Sequence, residues 1–207
     1  MQSSSVTPRT ERVSQDVYNT PLWLATLIVE KLRPHFPRLL PIWEPSVGSG
    51  RFLEALGPGY NTIATDIRPD ALGLAMPRKS WVLDLATGEL PNVGVAMGNL
   101  PFGLADQILP RLLPQARLSA YLFRVNYLGG QGRRDFWAQW PVQHLLVSSR
   151  RPSFVAVCST CKATQEEPGR CPCGGHFSAQ TDSTEYACFV WTRDRKPLPN
   201  LPPIGHL

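Results

Sequence analysis

The sequence predicts a mixed α/β fold, a largely parallel sheet with helices on both faces. Two observations predict it. Short strand-like runs alternate with helical stretches from the first helix to Phe102, the pattern of strands joined by crossover helices. Each of those runs also ends in a polar or glycine-rich turn, so the turns fall along one edge of the sheet, where ligands of such folds bind. The 207 residues suit one domain with a small insertion, and a hydrophobic content of 43% is enough for a core.

Taken in order, residues 1–17 read as a flexible N-terminus. Thr20, with Pro21 at the first helical position, opens a helix through Leu22–Leu32 that stops before Pro34. Its Leu24, Leu27, Ile28 and Leu32 share one face. Ile42 and Trp43 form a strand that runs into Glu44-Pro45-Ser46-Val47-Gly48-Ser49-Gly50, and Arg51–Leu56 is the next helix. Strands follow at 62–65, ending in Asp66; at 81–83, ending in Asp84; and at 93–97, ending in Gly98-Asn99-Leu100-Pro101-Phe102. A helix is expected over 104–113, a strand over 120–125, a basic loop over 129–134, and late strands at 144–147 and 186–191. Four cysteines lie between those two late strands. The proline-rich end, 196–207, reads as an irregular tail. The expected layout is a domain over 18–195 with an insertion at 156–179.

Composition narrows the function classes. The stretch 22–32 is broken by Thr26, Glu30 and Lys31, so no membrane span is expected. The polar residues 1–10 do not resemble a secretory signal. The expectation is a soluble protein of the cytoplasm, the host's if the chain is phage-encoded. Lys and Arg outnumber Asp and Glu by 21 to 16, a net charge of +5, which fits ordinary solubility and also a weak attraction to a polyanion.

The glycines of Glu44-Pro45-x-x-Gly48-x-Gly50 let the backbone turn sharply and approach a ligand closely. The lack of a third glycine argues against a dinucleotide site. On the glycines alone, a ligand loop and a plain tight turn fit equally well. Asp66 ends the following strand, where an acidic residue can accept both ribose hydroxyls of a nucleoside. Together they favour nucleoside binding. Asn99-Leu100-Pro101-Phe102 then offers two acceptors for an exocyclic amine, the Asn99 side-chain oxygen and the Leu100 carbonyl. Pro101 stiffens the turn, and Phe102 offers a face for a flipped-out base, worth about 1–3 kcal/mol of stacking.

These motifs resemble those of the class I S-adenosylmethionine-dependent methyltransferases, whose sheet is Rossmann-like. Glu44 to Gly50 looks like their motif I, Asp66 with Ile67 like motif II, and Asp84 like the residue beside the cofactor adenine, although a strand-end cap serves as well. Asn99 to Phe102 resembles the (Asp/Asn/Ser)-Pro-Pro-aromatic motif of amino-methyltransferases. Tyr18-Asn19-Thr20-Pro21 resembles the Thr-Pro segment that precedes motif I in gamma-class enzymes. Arg151 to Phe154 and Thr181 to Trp191 look like the final segments of small phage-type adenine methyltransferases. Leu100 stands where most DNA adenine enzymes have proline, and Asn-Leu-Pro-aromatic is also the form of ribosomal RNA adenine dimethyltransferases. The resemblance implies S-adenosylmethionine as cofactor, held by Tyr18, Thr20, Pro21, Glu44, Pro45, Gly48, Gly50, Asp66, Ile67, Asp84 and Asn99, with Asn99, Leu100, Pro101 and Phe102 at the reacting amine.

Cys158-x-x-Cys161 and Cys171-x-Cys173 lie nine residues apart, with His176 close behind. Tight clustering favours metal over disulfides. Four soft ligands imply a closed, structural zinc site of Cys158, Cys161, Cys171 and either Cys173 or His176. An extended backbone would aim Cys171 and Cys173 to the same side. Cys188 reads as core.

The leading expectation is transfer of methyl to N6 of adenine in DNA, with the basic loop 129–134, Arg150 and Arg151 as phosphate contacts. The same site would suit adenine in RNA or a protein glutamine amide. A non-catalytic, zinc-containing nucleic-acid-binding module is the alternative from another class. DNA is thus the expected partner and RNA the second.

Overall fold

A computed structural model describes residues 19–73, 79–165, 168–181 and 184–207. The expectations for 1–17 and for Tyr18 lie outside them. Helices are α1 (Leu22–Leu32), α2 (Arg51–Leu56), α3 (Ala105–Leu112) and α4 (Arg134–Gln139). The main sheet is built of β1 (Ile42–Glu44), β2 (Thr62–Asp66), β3 (Lys79–Val82), β4 (Val93–Asn99), β5 (Ala116–Arg124), β6 (His144–Val147), β11 (Tyr186–Thr192) and β12 (Ile204–His206). Between β6 and β11 the chain forms β7 (Ser153–Cys158), β8 (Thr164–Gln165), β9 (Gly169–Arg170) and β10 (His176–Thr181).

The eight strands run in the order β12-β6-β11-β5-β4-β1-β2-β3. β3, β2, β1, β4 and β5 are mutually parallel. β11 enters antiparallel between β5 and β6. The chain leaves β1 toward β2 and β3, then returns to place β4 on the other side of β1. That reversal opens a crevice at the carboxyl ends of β1 and β4, where open α/β sheets bind ligands.

Alternation along the strands builds the two cores. Leu118, Ala120 and Leu122 of β5, with Cys188 and Val190 of β11, pack toward α1 and α2. Tyr121 and Phe123, with Phe189 and Trp191, pack toward α3 and the flank of α4. Both faces are covered, so β11 is buried along its whole length. Cys188 lies fully buried within it, and burial pushes its thiol pKa up.

The structure departs from the sequence reading in several places, and β5 begins four residues before the expected strand. β3 begins two residues before the expected strand and stops at Val82. The basic loop is short and leads at once into α4, because Phe136 and Trp137 find the apolar surface below it. The tail is not irregular. Ile204–His206 lacks proline and docks as an edge strand beside β6, and buried His144 ties the tail down. Its Nε2 accepts the Leu198 N–H at 2.7 Å, which leaves Nδ1 to donate to the Pro202 carbonyl at 2.8 Å. Among the described residues, no helix is long and apolar enough to cross a membrane.

Candidate active site

The glycine loop joins β1 to α2. Glu44 ends β1 and is buried, 2% exposed. Its carboxylate accepts the Leu53 N–H at 3.2 Å, which fastens the loop to the first turn of α2. Burial raises the Glu44 pKa well above the usual carboxylate range, the Leu53 and Phe52 amides oppose the rise, and the nearby Asp66 charge adds to it. Pro45 is buried, and its carbonyl accepts the Thr65 hydroxyl at 2.8 Å. Gly48 and Gly50 have φ of +50° and +75°, left-handed values that need glycine. Gly50 takes the cap position before α2.

Asp66 closes the loop from β2. One carboxylate oxygen accepts the Gly48 N–H at 3.0 Å, and the other accepts Arg68 N–H and Nε–H at 3.0 and 3.2 Å. The pairing of β1 with β2 brings Glu44 and Asp66 to the same edge. Thr20 is buried, and the Pro21 carbonyl accepts the Leu24 and Ala25 amides that start α1. Asn19 approaches the loop so closely that a Cβ on Gly48 would lie 3.1 Å from its Oδ1. Its role was not singled out from the sequence, because only the long-range fold brings it there.

Ile67 beside Asp66 is 59% exposed and Val82 is 50% exposed. Two apolar side chains left in solvent at neighbouring strand ends form a surface suited to a planar ring, and Val82 gave no sequence signal. Asp84 lies just beyond β3 and caps its own turn, accepting the Ala86 N–H and the Thr87 hydroxyl, each at 2.8 Å. Those two donors lower its pKa. The cap reading of Asp84 therefore accounts for both of its oxygens.

Asn99 is the last residue of β4, opposite Leu122 of β5. Leu100 is buried in the core beneath, which explains an apolar residue at this position. Pro101 leads into a single helical turn, Phe102–Leu104, before α3. The half-buried Phe102 ring lies 6.0 Å from Phe123 and 6.1 Å from Tyr186. The Arg124 guanidinium stands 5.7 Å over Phe102 and donates from Nε to the Tyr186 hydroxyl at 3.1 Å. Tyr186 in turn packs 4.9 Å from Phe154 at the root of β7. Glycine loop and Asn99 thus end adjacent parallel strands, with an aromatic and arginine cluster on the far side of Asn99. Tyr186 and Arg124 were not picked out from the sequence as site residues.

The second sheet, ordered β8-β7-β10-β9, carries the cysteines. The four thiol sulfurs of Cys158, Cys161, Cys171 and Cys173 all lie within 4.8 Å of one another. The Cys158–Cys173 and Cys161–Cys171 separations are 3.5 and 3.6 Å. A tetrahedral zinc with Zn–S bonds of about 2.3 Å sets its sulfurs about 3.8 Å apart, so the donor set fits that ion. The Cys161 and Thr160 amides face the Cys158 sulfur and hold its pKa down to about 6. His176 is outside the group, its Nδ1 3.0 Å from the Phe177 carbonyl. Cys171 and Cys173 are not on an extended strand as expected. They form a tight turn in which the Gly174 N–H donates to the Cys171 carbonyl, with Gly174 at φ +87°.

No family model matches the chain, and no curated protein sequence matches it. Solved structures do. A candidate RNA methyltransferase from Pyrococcus horikoshii superposes with a TM-score of 0.57 at 14% identity, covering 92% of each chain. A candidate class I S-adenosylmethionine-dependent methyltransferase from Listeria monocytogenes gives 0.56 at 11% identity, over 93% of this chain and 67% of that one. A precorrin-6y C5,15-methyltransferase from Geobacter metallireducens gives 0.52 at 16% identity, over 88% and 94%. The fold is the Rossmann-like fold of class I methyltransferases.

Proposed function

We propose that this chain transfers a methyl group from S-adenosylmethionine to the N6 amino group of adenine in DNA. The observation that carries the reading is the juxtaposition of two motifs at one edge. The Glu44–Gly50 loop ends β1, Asn99-Leu100-Pro101-Phe102 ends β4, and β1 pairs directly with β4. A cofactor on the loop and an amine on Asn99 would then meet at the crevice. Asp66 would hold the ribose hydroxyls, and Ile67 and Val82 would flank the adenine of the cofactor. The cofactor supplies an electrophilic methyl. The protein's part is to take the two N–H bonds of the amine on Asn99 Oδ1 and the Leu100 carbonyl, which turns its lone pair out of conjugation. Phe102 would stack the base.

The four thiolates would hold one structural zinc, because a set of four protein ligands leaves no open position for chemistry. RNA is the second substrate reading. It is favoured by Leu100 within the motif, the Asn-Leu-Pro-aromatic form that this sequence shares with ribosomal RNA adenine dimethyltransferases.

The test is transfer of labelled methyl to DNA, RNA and protein pools in parallel. Label in DNA as N6-methyladenine is expected from the natural protein. Asn99→Ala should lower transfer at least a hundredfold while cofactor binding by calorimetry changes little. Label in RNA alone would move the assignment to RNA, and full activity of Asn99→Ala would refute the mechanism.

A further inference from the structure

Beside the target motif lies a cleft that the proposed reaction does not use. Its volume is about 440 Å³, within the range of small-ligand sites. One wall is α3, through Asp106. The other is the loop after β5 with α4, through Gly132, Arg133, Asp135, Phe136 and Gln139. The cleft shares an edge with Asn99, because α3 follows the Phe102–Leu104 turn and the loop follows the end of β5.

The walls are fixed to each other and to the target motif. Arg133 grips Asp106 with two bonds, Nε at 2.7 Å and Nη2 at 3.1 Å. The Tyr127 hydroxyl donates to the same carboxylate at 2.7 Å, and the Arg133 guanidinium covers the Tyr127 ring at 4.2 Å. Tyr127 stacks on Phe123 at 4.7 Å, and Phe123 touches Phe102. A partly exposed ion pair contributes little stability, but a two-bond fork sets orientation. The clamp keeps the cleft open at a set distance from Phe102.

The lining matches one kind of occupant. Phe136 offers a half-buried ring face. Asp135 and Gln139 sit one helical turn apart on α4, both exposed, and neither side chain hydrogen-bonds any described residue. Carboxylate and amide oxygens accept from the amino groups of adenine, cytosine and guanine. Thymine has no amino group, and its single N3–H lies between two carbonyls that would stand against the carboxylate. Exposed Arg134, next in the chain to the lining residues Arg133 and Asp135, suits a phosphate.

We propose that this cleft receives the nucleotide next to the target adenine and selects a flanking base that carries an exocyclic amino group. The proposal rests on the nucleic-acid reading above and adds a sequence preference to it.

The test is binding of fluorescein-labelled single-stranded DNA oligonucleotides by anisotropy. Each carries one central adenine, flanked on either side in turn by A, C, G or T. The natural protein should bind thymine-flanked DNA about tenfold more weakly on one side, the discrimination one base-edge contact gives. Asp135→Asn should narrow that difference to within about twofold, since an amide can also donate to a carbonyl. Gly132→Leu provides a variant that should fold. A Cβ there meets nothing within 4 Å, and the φ of Gly132 is not positive. It should weaken binding to all flanks about tenfold, as loss of a stacked base does, with an unchanged melting temperature. Equal affinity for all flanks in the natural protein, or natural affinity in Gly132→Leu, would overturn the proposal. A flank preference without methyl transfer would retain the cleft and remove the adenine-methylating reading. Methyl transfer without a preference would do the reverse.

Discussion

Asp66→Asn separates the carboxylate's work on the protein from its work on the cofactor. Asp66 is 6% exposed and accepts three hydrogen bonds, one from the glycine loop and two from Arg68. Asparagine keeps the shape but offers one acceptor oxygen and an NH2 group. Only one side of the group can be satisfied. The other side would set N–H against N–H, at a cost of about 1–3 kcal/mol for an unsatisfied buried partner. Bonds from ribose hydroxyls to a charged acceptor contribute about 1.5–3 kcal/mol, so the variant should bind S-adenosylmethionine about ten- to a hundredfold more weakly. Calorimetric titration measures the affinity, and a thermal melt reports the loop. Asp66→Ala should weaken binding further, since neither acceptor remains. A melting temperature that falls with cofactor affinity unchanged would leave Asp66 as a loop staple and refute its assignment to the ribose.

Two further outcomes are expected. The Glu44 pKa is raised on folding by burial, so the folded chain holds that proton more tightly than the unfolded one. Its contribution is present below the usual carboxylate range and is lost as pH rises through the raised value, by about 1.4 kcal/mol per unit of elevation. Glu44→Gln should therefore lose less stability than the natural protein as pH rises above the usual carboxylate range, and parallel melting curves would contradict this. Elemental analysis should find one zinc per chain, and a metal-free purified protein would reject the thiolate site.

What the sequence made legible was mostly local. The spacing of Leu24, Ile28 and Leu32 and the following Pro34 mark α1, which spans Leu22–Leu32 as read, although Pro21 rather than Thr20 takes the cap position and no side chain caps the helix. The glycines at 48 and 50 and the polar strand ends located the crevice, because a parallel sheet puts all carboxyl ends on one side. Longer-range placements were hidden. Asn19 reaches Gly48 only after α1 has packed. Tyr186 meets Phe102 only because β11 inserts antiparallel beside β5. Asp84 caps a local turn through Ala86 and Thr87, a role that its place at a strand end already allowed beside the cofactor reading. The Cys171-Pro172-Cys173-Gly174-Gly175 run contained a turn signal in its glycines that the alternation argument overlooked.

The thiolate ribbon matters more to the target than to the cofactor, and chelation should show it. The ribbon's own apolar cluster is Ala156, Cys158, Cys171 and Phe177, too small to hold a four-stranded sheet, so most of its folding energy would come from the metal. It leaves the main sheet after β6 and returns at β11. Phe154 at its root packs on Tyr186, and Tyr186 supports Phe102 and accepts from Arg124. The residues proposed to hold the cofactor lie farther along the sheet, at the ends of β1 and β2, with β5 and β4 between. Loss of the metal should therefore loosen Tyr186 first. A strong chelator is expected to slow methyl transfer about tenfold or more, the range that a displaced stacking partner gives, while S-adenosylmethionine affinity stays within about threefold, below the tenfold that 1.4 kcal/mol would produce. Restored zinc should restore the rate. Tyr186→Leu should reproduce the slow transfer with the metal still bound, which separates the packing link from general unfolding. Loss of cofactor binding on chelation would mean that the ribbon supports the whole sheet. An unchanged rate would mean that Phe102 keeps its place without the ribbon.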